Sequence, residues 1–196
     1  MSDLTGPAPV PALGGAAFDG YVRIAEAPQG AMFTLRGDLS SAALKTAATK
    51  LAAVDMPEQG RVALNGERAL AWMSPDELLL LAPWAEHASV VAQLDAALDD
   101  PALNWVDVSQ ARARFAISGP DGLVREVAAK LAPVDFSPSA FTPGSFRRSR
   151  IGQVAGAFWC PGPGRIEVVC FRSVAEYVFT LLRDAARPGS EVRLYA

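Results

Sequence analysis

The chain has 196 residues, of which 51% are hydrophobic and only 20% charged, so it is long enough to bury a large core. Its 18 basic residues are outnumbered by 21 acidic ones, which excludes a basic face for nucleic acid, and no apolar run reaches the ~18 residues that a membrane span needs. The N-terminal residues show neither the basic nor the apolar part of a secretory signal, and a cytoplasmic protein is expected.

The chain begins with residues 1–20, which are rich in proline, alanine and glycine, show no period and predict a flexible tail. Two half-repeats, 21–102 and 103–196, are predicted to follow as one compact unit. Their likeness is clearest at two helix ends, Thr49-Lys-Leu-Ala-Ala-Val-Asp55 and Ala129-Lys-Leu-Ala-Pro-Val-Asp135, which lie about 80 residues apart. Each half is therefore expected to contain a strand, a helix, further strands and a second helix.

Apolar residues at helical spacing predict four helices, and alternating apolar and polar residues predict the strands between them. The helices are expected at 39–53, 86–98, 121–132 and 173–187, and the strands at 61–64, 70–73, 78–81, 147–151 and 166–170. Ser173 and Glu176 have the spacing of a capping box at the start of the last helix. Helices separated by several antiparallel strands favour an α+β fold, with antiparallel or mixed sheets and helices packed on them.

Residues that commonly carry catalysis or bind metal are scarce. His87 is the one histidine, and its place in the first turn of helix 86–98 favours a structural role over a catalytic one. Cys160 and Cys170 flank a predicted hairpin and are expected to lie too far apart for a disulfide, and with one histidine they cannot form a closed zinc site. No glycine-rich phosphate loop follows a strand. We therefore expect no catalytic residue, no metal site and no dinucleotide site.

Asp107 leaves two interpretations open. It lies in the segment Trp105-Val-Asp-Val-Ser-Gln-Ala-Arg112, between two valines at the start of a predicted strand region. It could be a buried functional carboxylate, or it could cap the following turn by accepting hydrogen bonds from Ser109 and backbone N–H groups. The chemistry of the segment alone favours the cap.

Several features suit a surface that other chains cover. Charged residues are fewer than the ~25% typical of a soluble domain, and three lysines stand against fifteen arginines. Trp84, Trp105 and Trp159 lie close to predicted loops, and tryptophan often anchors an interface, but at least one of the three is expected to be a core residue. Arg148 and Arg150 alternate onto one face of a strand and indicate a solvated or interface edge. These five residues are the interface candidates.

Six motifs in order resemble the gamma subunit of heterotetrameric sarcosine oxidase, and together they cover about 70–190. They are Ala71-Trp-Met-Ser-Pro-Asp-Glu-Leu-Leu-Leu80, Val106-Asp-Val-Ser109, Ile117-Ser-Gly-Pro120, Val134-Asp-Phe-Ser-Pro-Ser-Ala-Phe141, Ser149-Arg-Ile-Gly152 and Phe171-Arg-Ser-Val-Ala-Glu-Tyr177. The chain departs from the family where Ser74 and Leu78 replace the usual Gly and Trp. It also has Gln110 and Ala111 in place of the usual His and Gly.

The resemblance implies a structural, non-catalytic subunit with the folate-binding fold of aminomethyltransferases and no cofactor of its own. Its partners would be the alpha, beta and delta subunits: alpha and beta would hold FAD, FMN, NAD and tetrahydrofolate, and delta would bind zinc. The complex would oxidise sarcosine with O₂ to glycine, H₂O₂ and formaldehyde, or 5,10-methylenetetrahydrofolate when tetrahydrofolate is present. Asp107 and Arg112 would be remnants of a cofactor-binding element that the family shares with aminomethyltransferases.

Two alternatives stay open. One is a stand-alone folate-binding protein of the aminomethyltransferase type, either an enzyme or a factor for RNA modification or iron–sulfur assembly. The other is the equivalent subunit of a related N-methyl amine oxidase, because the substrate would be chosen by another chain.

Overall fold

Residues 9–195, which the computed structural model describes, contain eleven strands and four helices in the order of two similar halves. The strands are β1 Ala17–Asp19, β2 Arg23–Glu26, β3 Ala31–Arg36, β4 Val62–Asn65, β5 Arg68–Ser74, β6 Glu77–Ala82, β7 Asn104–Asp107, β8 Arg112–Ser118, β9 Phe146–Ile151, β10 Val154–Gly162 and β11 Arg165–Phe171. The helices are α1 Ala42–Ala52, α2 His87–Ala97, α3 Asp121–Leu131 and α4 Ala175–Ala185. Each has 11 residues, so no helix in the described range is long enough to cross a bilayer.

The strands form two antiparallel sheets, and each sheet packs one face on two helices and the other face on the second sheet. The first sheet has the strand order β4-β5-β6-β3-β7 and is covered by α1 and α2. The second sheet has the order β1-β2-β8-β11-β10-β9 and is covered by α3 and α4. The layers therefore run helix, sheet, sheet, helix, and the predicted α+β fold with two repeated halves is confirmed.

Strand β6 shows how the sequence pattern follows from these layers. Leu78 and Leu80 pack against the helices of the first half, whereas Leu79 and Leu81 face the second sheet. Both faces of the strand are buried, so it reads as a continuous apolar run rather than an alternation of apolar and polar residues. The core of the molecule thus consists of one cluster under each helix pair and a third cluster between the sheets.

The two halves exchange their first strands. Strand β2 precedes the first half's other strands in sequence but pairs with β8 in the second sheet, with Ile24 opposite Ile117. Strand β7 opens the second half but pairs with β3 in the first sheet, with Trp105 opposite Leu35. Neither sheet is complete without a strand from the other half. A boundary at residue 102 therefore separates the repeats in sequence but does not separate two sheets in space.

The described part of the predicted tail, residues 9–20, is attached to the second sheet. Ala17–Asp19 forms β1 and pairs with β2. The backbone N–H groups of Leu13 and Gly15 donate to the buried carboxylate of Glu26 at 2.8 to 3.1 Å. Composition did not reveal this attachment because hydrogen bonds to one glutamate hold the segment, without a periodic apolar face. The first eight residues of the predicted tail lie outside the described range.

The four helices lie within three residues of their predicted bounds, but the predicted start of the last one is wrong. Ser173 lies in a turn of 3₁₀ helix, Arg172–Val174, that precedes α4. Val174 is then the residue before the helix, and no side chain caps the first N–H groups of α4. The capping box is absent because the chain enters the helix through this tighter turn.

The C-terminal segment, residues 190–195, packs along α3 and is held by two ionised side chains. The N–H groups of Val192 and Leu194 donate to the two carboxylate oxygens of Glu126 at 2.7 and 3.2 Å. The ammonium of Lys130, one turn further along α3, donates to the carbonyl oxygen of Ser190 at 2.6 Å. Burial raises the pKa of Glu126, but these N–H groups and Lys130 outweigh burial and lower the pKa from 4.5 to about 2.

Acid should therefore release the C-terminal segment. A carboxyl group with a lowered pKa stabilises the folded state above its ordinary pKa of 4.5, and this contribution is lost as the pH falls from 4.5 towards 2. We expect Glu126→Gln to lower the free energy of unfolding by about 2 kcal/mol at pH 7 and to flatten its decline below pH 4.5. Urea unfolding between pH 2 and pH 7 measures both effects, and parallel pH curves for the two proteins would contradict this account.

Candidate functional site

Asp107, at the end of β7, holds the loop that leads into β8. Its Oδ1 accepts a hydrogen bond from the N–H of Ser109 at 2.9 Å, so the favoured interpretation as a turn cap is confirmed. The buried hydroxyl of Ser109 in turn accepts from the N–H of Met32 at 2.9 Å and donates to its carbonyl oxygen at 3.3 Å. These bonds fasten the exchanged strand β7 to β3, because Met32 belongs to β3.

The other carboxylate oxygen of Asp107 contacts His87, the first residue of α2. The distance from Nε2 to Oδ2 is 2.6 Å. The imidazole lies against the rings of Trp84 and Phe33, with ring centroids 4.5 and 5.5 Å away and nearly parallel planes. Trp105 packs edge-on against Phe33 at 6.0 Å. An aromatic cluster therefore surrounds an acid–base pair at the edge of the first sheet.

The hydrogen bonds of this pair favour the ionised form of the Asp107 carboxylate. Burial raises the pKa of Asp107, but the hydrogen bonds from Ser109 and His87 outweigh burial and hold the pKa below its usual range. The side chains of Asp107 and His87 are 38% and 24% exposed. An imidazole oriented by a carboxylate can accept a proton from a bound substrate. In the range 9–195, however, no hydroxyl or thiol hydrogen-bonds to the ring, so the pair has no nucleophile beside it to activate.

The two thiols do not supply a nucleophile elsewhere. Cys160 and Cys170 are both free and buried, in agreement with the prediction that they are unpaired strand residues. Burial raises the pKa of Cys160, and it raises the pKa of Cys170 to about 12. The thiolate, which is the reactive form, is therefore scarce at neutral pH.

A second candidate region is the inter-sheet cleft, a cavity of about 510 Å³ beside Trp84 where the two sheets meet, lined by both charged and apolar residues. Glu167 of β11 lies in it with a side chain only 8% exposed. Its Oε1 accepts from Arg165 at 2.7 Å, whereas its buried Oε2 has no hydrogen-bond partner within residues 9–195. The Nε atom of Arg114 lies 3.8 Å from that oxygen. A ligand that offers an N–H group could satisfy it.

Arg112 does not share a site with Asp107. Its guanidinium lies over the ring of Phe171 at 4.0 Å. Near it, the buried carboxylate of Glu77 in the first sheet pairs with Arg148 of the second sheet at 3.5 Å. Asp107 and Arg112, the two remnant candidates, thus have separate contacts. The ion pair between Glu77 and Arg148 joins the two sheets.

The interface candidates divide by exposure. The prediction for Trp159 is wrong, because this residue is 2% exposed and stacks on Phe146 between the sheets, where the first sheet covers β10. Trp84 and Trp105 are half-buried, and Arg150 is exposed. Arg148 is also exposed despite its ion pair.

Sequence reasoning missed the roles of His87 and Glu167. Twenty residues separate His87 from Asp107, and the two meet only because the second half donates β7 to the first sheet. Glu167 did carry a signal, since it is the one charged residue in the apolar run Ile166–Cys170. A charge at that position indicates a strand face that borders a polar space.

Comparison with solved structures defines the class of fold. The chain superposes on aminomethyltransferase T of the glycine cleavage system from Bartonella henselae with a TM-score of 0.60 and 14% identity, covering 83% of this chain and 45% of that one. A chain of heterotetrameric sarcosine oxidase from Corynebacterium sp. U-96 superposes with a TM-score of 0.74 and 23% identity over 87% of each chain. The fold is therefore that of aminomethyltransferase-like, duplicated α+β domains.

Sequence comparison then shows the family. A family model described as the sarcosine oxidase, gamma subunit family matches residues 36–188. The curated sarcosine oxidase subunit gamma of Corynebacterium sp. (strain P-1) is 32% identical over 132 residues, which make up 66% of this chain and 63% of that protein. The match thus spans less than two thirds of the curated relative's length. The chain belongs to the sarcosine oxidase gamma subunit family.

Removing the Asp107 carboxylate should affect folding. We expect Asp107→Ala to lower the free energy of unfolding by about 1 to 2 kcal/mol, because the Ser109 N–H and the His87 ring lose their acceptor. The matched control is Asp95→Ala, which removes an exposed carboxylate from α2 and should change stability little. Urea denaturation of both variants measures the difference, and equal stabilities would contradict the structural role of Asp107.

Proposed function

We propose that this chain is the structural gamma subunit of a heterotetrameric sarcosine oxidase and catalyses no step itself. Family membership over residues 36–188 supports the assignment to such a complex. The observation that carries the non-catalytic role is the use of Asp107, whose two carboxylate oxygens are both engaged within the chain by Ser109 and His87. A carboxylate engaged in this way fastens β7, and the pair that it forms with His87 has no nucleophile beside it within residues 9–195.

The partners in this proposal are the alpha, beta and delta subunits, in the cytoplasm. FAD, FMN, NAD, tetrahydrofolate and zinc would be held by those subunits. The complex would convert sarcosine, O₂ and water to glycine, formaldehyde and H₂O₂, or deliver the one-carbon unit as 5,10-methylenetetrahydrofolate. The residues proposed to meet partner chains are the half-buried Trp84 and Trp105 and the exposed Arg148 and Arg150, because aromatic and arginine side chains anchor interfaces.

One observation favours a second candidate, a stand-alone folate-binding protein. The inter-sheet cleft holds Glu167 with an unpartnered buried oxygen, and an amino-substituted heterocycle such as that of tetrahydrofolate carries N–H donors. The second candidate predicts saturable micromolar binding of tetrahydrofolate by the isolated chain, lost in Glu167→Gln and retained in Asp107→Ala. Isothermal titration calorimetry separates the candidates, since the subunit assignment predicts no binding.

Co-purification tests the proposed function directly. A tagged chain isolated from its native host should bring down larger flavin-coloured subunits, and the eluate should produce peroxide when sarcosine is added. A variant with Trp84→Ala and Arg150→Ala should yield less complex, because it removes proposed contacts at two separate places. Its free energy of unfolding serves as the control for folding. A colourless chain that elutes alone would contradict the proposal.

A further inference from the structure

Because the two halves are similar, the surface of α3 and α4 that holds the C-terminal segment has a counterpart on α1 and α2 that holds no segment of the described chain. In the second half, α3 holds the C-terminal segment through Gly122, Glu126 and Lys130. Gly122 allows close approach, because a Cβ atom there would lie 2.5 Å from the carbonyl oxygen of Tyr195. Glu126 and Lys130 bind backbone groups of the segment, and Ala185 at the end of α4 accepts from the Ser190 hydroxyl at 3.2 Å.

The corresponding surface of the first half is an open apolar groove of about 550 Å³ between α1 and α2. The shared Lys-Leu-Ala sequence aligns the first helices of the two halves with an offset of 80, so that Ala42, Thr46 and Lys50 correspond to the three residues of α3. The second helices are offset by 88, so that Ala97 corresponds to Ala185. All four of these first-half residues line the groove. Within the described range, no segment of the chain occupies it.

The composition of the groove indicates what would bind there. Alanines at positions 42, 43, 47, 96 and 97 form most of its walls, so an occupant can approach the helices closely. Thr46 and Gln93 offer hydrogen bonds to a backbone, as Glu126 does in the second half. The groove is thus suited to a peptide segment that carries apolar side chains.

Charge adds a second requirement. Lys130 forms an ion pair with Glu126 at 3.0 Å, but the position equivalent to Glu126 is Thr46 in the first half. Lys50 accordingly has no acidic partner among residues 9–195, and no acidic residue lines the groove. An occupant that places a carboxylate beside Lys50 would supply the missing half of the pair.

We propose that the α1–α2 groove is the docking site for a peptide segment of a partner subunit, with apolar side chains on the alanines and a carboxylate next to Lys50. The segment takes the place that the chain's own C-terminal segment takes on α3. This inference rests on the proposed function for the existence of the partner subunit, but it concerns a groove that neither Trp105 nor Asp107 lines.

The rate at which maleimide labels a cysteine introduced into the groove tests whether the groove is covered in the assembled complex. A cysteine is small enough to leave the groove open to its occupant. Ala96→Cys places a thiol in the groove, and Asp95→Cys places one on the exposed side of the same helix that faces away from it. The native cysteines are buried and give little background. We expect maleimide to label Ala96→Cys at least about tenfold more slowly in the complex than in the free chain, and Asp95→Cys at equal rates in both.

Two lysine experiments test the carboxylate. A carbodiimide joins an amine to an adjacent carboxylate as an amide, so it should link Lys50 to a peptide of a partner subunit in the purified complex. Lys50→Glu should weaken association about tenfold or more, whereas Lys45→Glu, an exposed change on the same helix outside the groove, should not.

The outcomes separate the inference from the proposed function. If the wild-type chain assembles with flavin subunits but Ala96→Cys is labelled equally fast in complex and free chain, the groove inference is overturned and the proposed function stands. A cross-link from Lys50 to a peptide of this same chain overturns it as well. If the wild-type chain assembles with no flavin subunit, both the proposed function and the inference fail.

Discussion

The exchange of β2 and β7 between the halves is the constraint on which the rest of the structure depends. Each sheet takes one strand from the other half, and the third core cluster packs the two sheets face to face. Without the exchanged strands, β3 and β8 would present unpaired edges with free backbone N–H and C=O groups. The sequence repeats are therefore not independent folding units, and the fold is stable only when both halves are present.

The exchange also explains why the carboxylate of Asp107 holds chain segments together. Glu26 ends β2 and Asp107 ends β7, so the two carboxylates occupy equivalent places in the two halves. Glu26 binds the backbone N–H groups of Leu13 and Gly15, and Asp107 binds Ser109 and His87. Each carboxylate thus fastens a chain segment to the end of an exchanged strand. The carboxylate at this position therefore does the same thing in both halves, although its partners differ.

Much of this fold could be predicted from sequence, because helix and strand periods and the repeat offset are local or directly visible. The four helices, the buried run Leu78–Leu81 and the turn cap at Asp107 follow from such patterns. The exchange could not be predicted, since β2 and β7 are short strands whose pairing depends on contacts far along the chain. For the same reason the sequence could not predict the Asp107–His87 contact, nor that Trp159 is the tryptophan buried between the sheets.

The swap of strands between the halves is tested most directly by native-state hydrogen exchange in the Ile24→Ala variant. Ile24 is fully buried in β2, a strand of the first half that belongs to the second sheet. The account predicts that the amides of β6 and β11, the inner strands of the two sheets, lose protection by equal free energies. The amide hydrogens of both strands would then exchange with solvent through one global unfolding of the whole domain. Loss of protection confined to β11, with β6 unchanged, would show that the sheets unfold separately and would contradict the account.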